Sequence, residues 1–181
     1  QAERPNRGIR PHLAKSRGHL LIEESVHRQE TLALPNRSAG HALVVGGAGR
    51  MGRWLCRYLR SQGYRVAVHD IAGAPVDLPT ASASSDVIAV ATPIDAAASV
   101  LEAVGAVRPA GLVFDVTSLK TPVTQALRSL AAKGCTVASI HPLFGPHFGP
   151  MSQGTILLSD CGNPIGIEKA RALLRATRAH L

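Results

Sequence analysis

Apolar positions along the chain fall into short continuous runs separated by stretches of helical spacing. That alternation predicts buried parallel strands joined by helices, an α/β doubly wound sheet. Ala42, Leu43, Val44 and Val45 form the first run, and Arg65–His69, Asp86–Ala91, Gly111–Val116, Cys135–Ile140 and Thr155–Ser159 are the later strand candidates. Between them, Arg50–Gln62 sets Met51, Leu55, Tyr58 and Leu59 on one side at helical intervals, and Gly63 follows as a C-terminal stop. Helices are expected likewise over Ile94–Val104, Pro122–Lys133 and Pro164–His180. Ile71–Ser85 has two prolines, many small residues and no helical period, so it predicts a shortened crossover. Upstream, residues 1–18 are polar, basic and broken by Pro5, Gly8 and Pro11, whereas His19–Leu34 carries Leu21, Ile22, Ser25, Val26, Gln29 and Leu32 at helical intervals. The expected organisation is a helical segment over residues 1–34, a linker over 35–40 and the α/β domain over 41–181.

The turn after the first strand carries the chemistry. Gly47, Gly49 and Gly52, with Arg50 and Met51 between the last two, make a G-x-G-x-x-G motif at a strand-to-helix junction. Gly47 is expected to allow the tight turn, Gly49 to let a pyrophosphate approach the backbone, and Gly52 to bring the helix close to the strand. The helix N-terminus then offers unpaired N–H groups and a positive dipole end to phosphates. Asp70 closes the second strand at the distance where a carboxylate accepts the hydroxyls of an adenosine ribose and repels a 2′-phosphate, which favours NAD over NADP. The alternative for Asp70 is a loop residue capping the next turn. Thr92 and Pro93, at the end of the third strand, are placed to shape the same crevice through their backbone.

Composition narrows the field. The chain has 181 residues, 45% of them hydrophobic but only 3% aromatic, so its core is built from Val, Leu, Ala and Ile. Mean hydropathy of +0.10 suits a globular protein, and no apolar run approaches the ~18 residues that span a membrane. No secretory leader pattern opens the chain. Cys56, Cys135 and Cys161 are widely spaced and sit in apolar segments, so they read as buried thiols of a reducing, cytoplasmic protein; no metal-ligand spacing links them to the eight histidines. The net charge of +8 is dispersed and not interleaved with aromatics, which argues against nucleic acid as a partner and for a solvated basic surface.

Three segments carry a resemblance. Asp115–Lys120 (DVTSLK) and His141–Pro146 (HPLFGP) resemble the D-x-x-S-x-K and H-P-x-F-G-P segments of the prephenate dehydrogenase family, and the likeness runs from about His41 to the end of the chain. The stretch LLIEESVHRQETLAL resembles the last helix of the all-helical chorismate mutases, in which a Ser and a Gln one turn apart hydrogen-bond the substrate; Ser25 and Gln29 match them. Together they imply a Rossmann-like domain of a bifunctional chorismate mutase/prephenate dehydrogenase of tyrosine biosynthesis, with residues 1–34 the remnant of the mutase. The implied reaction is NAD-dependent oxidative decarboxylation of prephenate to 4-hydroxyphenylpyruvate. His141 takes the family position of the base that accepts the hydroxyl proton, Ser118 that of the serine bonded to the reacting hydroxyl, and Lys120 that of a nearby cation orienting either the anionic substrate or the loop. In the family a C-terminal helical domain supplies the arginine for the substrate carboxylate and forms the homodimer. Its absence before Leu181 implies that this polypeptide binds NAD but turns over prephenate poorly. Arogenate, or a related cyclohexadienyl substrate, and a non-catalytic dinucleotide-binding module are the competing expectations.

Overall fold

Among the described residues, each apolar run becomes a strand and each helical-spaced stretch a helix. The computed structural model of the protein describes residues 39–71, 76–145, 154–177 and 179–181. The expected helix with Ser25 and Gln29, most of the linker and Pro146–Pro150 lie outside them. In chain order the elements are β1 (Gly40–Val45), α1 (Arg50–Ser61), β2 (Tyr64–His69), α2 (Leu78–Ala83), β3 (Val87–Val90), α3 (Ile94–Gly105), β4 (Leu112–Asp115), α4 (Thr121–Ala132), β5 (Thr136–Pro142), β6 (Ile156–Ser159) and α5 (Pro164–Leu174).

The strands form one sheet in the order β2-β1-β3-β4-β5-β6. Period-2 alternation divides their side chains between two cores. Ala42, Val44, Phe114, Ala138 and Ile140 pack with Trp54, Leu55, Tyr58 and Leu59 of α1 and with Ala170 and Leu174 of α5. Leu43, Val45, Ile88, Val90, Val113 and Val137 pack with α3 and α4 on the opposite face, where α2 also rests. Each fully buried aliphatic side chain contributes roughly 1.5–3 kcal/mol by leaving water. Both faces are therefore covered, as a doubly wound sheet requires. Trp54 stacks on Tyr58 with ring centroids 5.5 Å apart, and Tyr58 donates its hydroxyl to Leu173 O at 2.6 Å, which ties α1 to α5.

The crossover after β2 is short, as its composition predicts. α2 has six residues, capped by Asp77, whose carboxylate accepts Thr80 N–H at 3.0 Å. The chain then passes β1 and enters β3 on its far side, so strand order reverses between β1 and β3. Open sheets of this kind bind ligands beyond the carboxyl ends of the strands at that reversal.

Three features differ from expectation. The first five strands are parallel, but β6 runs antiparallel to β5. A parallel partner needs a crossover element, and the connection between them, holding Pro146, Gly149 and Pro150, has the composition of a loop. β5 continues through Pro142, so His141 stands within the strand and pairs with Leu157. Finally, α5 stops at Leu174 and does not run to His180. Thr177 donates to Leu174 O, and His180 forms a bridge to Thr155, with Ile156 N–H donating to His180 O at 2.8 Å.

Candidate functional site

Register places the candidate residues along one edge. Val45, Val90, Asp115 and Ser139 are successive Cα partners across β1, β3, β4 and β5, and Val45 also pairs with His69 of β2. Within one to seven residues beyond that row come Asp70, the glycine turn, Thr92 and Pro93, Ser118 and Lys120, and His141. All of them therefore stand at the carboxyl edge of the sheet.

The glycine turn is built from close backbone approaches. Gly46 has φ +82°, and a Cβ there would also meet Ala91 O at 2.7 Å and Thr92 N at 2.9 Å. The positive φ in the turn thus falls at Gly46, one residue before the Gly47 expected to allow the tight turn. Gly47 is needed instead because a Cβ would press on Val68 Cγ1 at 2.6 Å. Gly52 behaves as expected: a Cβ there would collide with Gly46 O, so only glycine lets α1 settle against the end of β1. A Cβ on Gly49 would meet only Gly46 O at 3.2 Å and Ala91 O at 4.0 Å, and so would project into the crevice between the turn and the end of β3.

The peptide at Ala48 is gripped from both sides. Asp70 Oδ2 accepts Ala48 N–H at 3.0 Å, and Arg53 Nε donates to Ala48 O at 2.8 Å. The carboxylate of Asp70 thus fastens a turn, and that turn is the glycine motif itself and not the one that follows Asp70. Arg53 carries no motif that would have pointed to it. Arg50 and Met51 open α1, with Arg50 exposed and Met51 partly buried. Thr92 Oγ1 is buried and has no hydrogen-bond partner among the described residues. A recess that a side chain on Gly49 would fill, a helix N-terminus and an orphaned hydroxyl fit a bound dinucleotide.

At β4 and β5 the centre is Asp115, fully buried. Its Oδ2 accepts from Thr117 N (2.8 Å), Thr117 Oγ1 (2.5 Å) and Lys120 Nζ (3.2 Å), while Oδ1 accepts from Ser139 Oγ (2.6 Å). Lys120 also donates to Ile140 O at 2.7 Å. Burial pulls the Lys120 ammonium below the ordinary lysine range, and Asp115 opposes that shift. Ser118 is exposed within the loop this network shapes, and His141 is half-exposed immediately after Ile140. Thr117 and Ser139 were not singled out by sequence, and Asp115 only as the first residue of the D-x-x-S-x-K segment, with no role assigned to it. The signal available was an acidic residue inside the apolar run GLVFDV, which a buried strand tolerates only when the carboxylate is fully partnered.

A cavity of about 540 Å³ lies at the opposite, amino edge of the sheet, lined in part by Tyr64, Asp86, Gly111 and Lys169, and holds none of the candidate residues. Cys56, Cys135 and Cys161 are buried and free. Among the described residues, no helix is long and apolar enough to cross a membrane.

Residues 57–160 match the family model described as "Prephenate dehydrogenase, nucleotide-binding domain". A protein of Methanocaldococcus jannaschii named "Probable arogenate/prephenate dehydrogenase" is 30% identical over 130 residues, 64% of this chain and 29% of that protein. A "T-protein" of Enterobacter agglomerans is 28% identical over 122 residues, 67% of this chain and 32% of its own length. Among solved structures, the 3-hydroxyisobutyrate dehydrogenase of Mycobacterium tuberculosis superposes with TM-score 0.65 at 19% identity, over 78% of this chain and 53% of that one, a likeness of fold. The chain spans between 29% and 43% of the length of these and two other curated relatives.

Proposed function

The chain belongs to the family of prephenate dehydrogenase nucleotide-binding domains, and from that premise we propose that it is the NAD-binding and base-carrying part of an enzyme that oxidatively decarboxylates prephenate to 4-hydroxyphenylpyruvate. The dinucleotide, when bound, supplies the hydride acceptor. The glycine turn and the start of α1 hold its pyrophosphate, Asp70 its adenosine ribose, and Thr92 and Pro93 the wall of the crevice. His141 takes the ring hydroxyl proton as hydride leaves the same carbon. Ser118 hydrogen-bonds that hydroxyl, and loss of the ring carboxylate as carbon dioxide returns its electron pair to the ring, which becomes aromatic. The protein is a soluble cytoplasmic enzyme under this reading. Residues 1–34, with Ser25 and Gln29, are the end of a chorismate mutase-like domain, and the homodimer and the substrate-binding arginine belong to sequence beyond residue 181.

The observation that carries the proposal is the placement of Ser118 and His141 beyond register partners, Asp115 and Ser139, at the edge that also holds the glycine turn. The test follows NADH formation by the full-length enzyme with prephenate and with arogenate, for wild type and His141→Asn. Prephenate turnover is expected, with kcat in the variant lowered ~10²–10⁴-fold, the usual worth of a positioned base, and NAD affinity unchanged. Full activity in the variant would reduce the chain to a dinucleotide-binding module. A strong preference for arogenate would correct the substrate.

A further inference from the structure

Asp115 is a buried carboxylate in direct hydrogen bonding with both segments that carry the proposed chemistry, the loop after β4 and the end of β5. One oxygen takes the hydroxyl of Ser139, two residues before His141; the other takes Lys120 and both donors of Thr117, which flank Ser118. The ammonium of Lys120 spans the gap between the strands, from Asp115 on β4 to Ile140 O on β5. The backbone of Lys120 meanwhile starts α4: its carbonyl accepts Val123 N–H at 3.1 Å and Thr124 N–H at 2.9 Å. Its ammonium thus bonds Asp115 and Ile140 O within the protein, and the side chain is only 21% exposed.

We infer that Asp115 and Lys120 are positioning residues. Their ion pair locks the ends of β4 and β5 together and so fixes Ser118 and His141 relative to one another. The inference rests on the proposed dehydrogenase reading and, of the two expectations for Lys120, takes orientation of the loop over contact with the anionic substrate, extending it through Asp115 to the end of β5. Removing Lys120 leaves Ile140 O without its donor and the Asp115 carboxylate buried without its counter-charge, so the β5 end shifts. Small displacements of reacting groups cost as much as ~100-fold in rate.

Asp115→Asn keeps the shape of the side chain. Its amide oxygen still accepts from Thr117, and its amino group donates to Ser139, whose hydroxyl turns to accept. The variant thus removes charge with little loss of bonding. In the full-length enzyme, Lys120→Met is expected to lower kcat ~10–100-fold while KM for prephenate moves less than about threefold and NAD affinity stays the same. The double variant Asp115→Asn/Lys120→Met, with neither charge left, is expected to recover about tenfold of the lost rate.

If Lys120 instead holds the substrate, KM in Lys120→Met rises tenfold or more and the second substitution rescues nothing; either result overturns the inference. Thermal unfolding of the same four proteins gives a substrate-independent arm. The pair predicts that the double variant is more stable than the sum of its single effects, and strict additivity would refute it. Failure of the wild type to oxidise prephenate would sink the dehydrogenase reading alone and leave that coupling measurable.

Discussion

Asp70 fastens the glycine turn, and a second role, toward the cofactor, is proposed for it. Its carboxylate fastens Ala48 N–H in the glycine turn, and the same negative charge lies where an adenosine ribose is expected. Asp70→Asn separates them, since the amide oxygen still accepts the N–H while the charge is gone. The expected outcome, read by calorimetric titration, is a shift of the NAD-to-NADP affinity ratio by ~10-fold toward NADP, about 1.4 kcal/mol, with little change in melting temperature. An unchanged ratio would make Asp70 a fastener only. At this scale the motif was legible and its internal geometry was not. Spacing located the turn, but which glycine is left-handed depends on how β1 passes β3, and that contact, Gly46 against Ala91 and Thr92, is long-range. Ser139 was hidden for the same reason, since its partner Asp115 lies 24 residues away, whereas Arg53 bonds Ala48 O only five residues back and no motif marks it.

Among the elements, composition predicted what local chemistry controls. The prolines between Asp70 and Ser85 announced a short crossover, and α2 has six residues. Direction is another matter, because apolar runs look alike whichever way a strand is laid down; β6 lies antiparallel beside β5 and no periodicity could have said so. The end of α5 was overrun because residues up to His180 suit a helix, yet strand pairing with Thr155 takes the tail instead. The start of α5 is the firmer end. Asn163 Oδ1 accepts Gly166 N–H at 2.7 Å while its Nδ2 donates to Cys135 O at 3.3 Å, so one side chain both caps the helix and ties it to the approach to β5. Asn163→Ala is expected to cost about 1–2 kcal/mol, a fall in melting temperature of roughly 2–8 °C by calorimetry. A variant melting with the wild type would show that the cap contributes nothing.

Across the whole molecule, the buried polar groups give a consistent response to pH. Burial pushes the Cys161 thiol up to about 11 from its ordinary 9.0, and burial likewise raises Cys56 and the phenols of Tyr58 and Tyr64. Each of these groups keeps its proton in the folded chain at a pH where the unfolded chain has released it. Folding is then linked to proton uptake, so the stability these groups contribute is complete below their ordinary values and is lost as pH rises through the folded ones. Lys120 acts with the opposite sign, since its lowered value makes the unfolded state the better proton binder below 10.5, but it stands against five groups, the Cys135 thiol being raised by burial as well. Urea midpoints are therefore expected to hold steady from pH 7 to about 8.5 and to fall steadily from there to pH 11, with the slope of the transition unchanged. Cys161→Ala removes one contributor and should flatten that fall, because the small side chain has no proton to lose; it also leaves Asp115, Lys120 and Ser139 bonded as they are. A midpoint that stays level to pH 11, or rises, would mean that thiols and phenols are open to water in solution, contrary to their burial beneath α1 and beside β5.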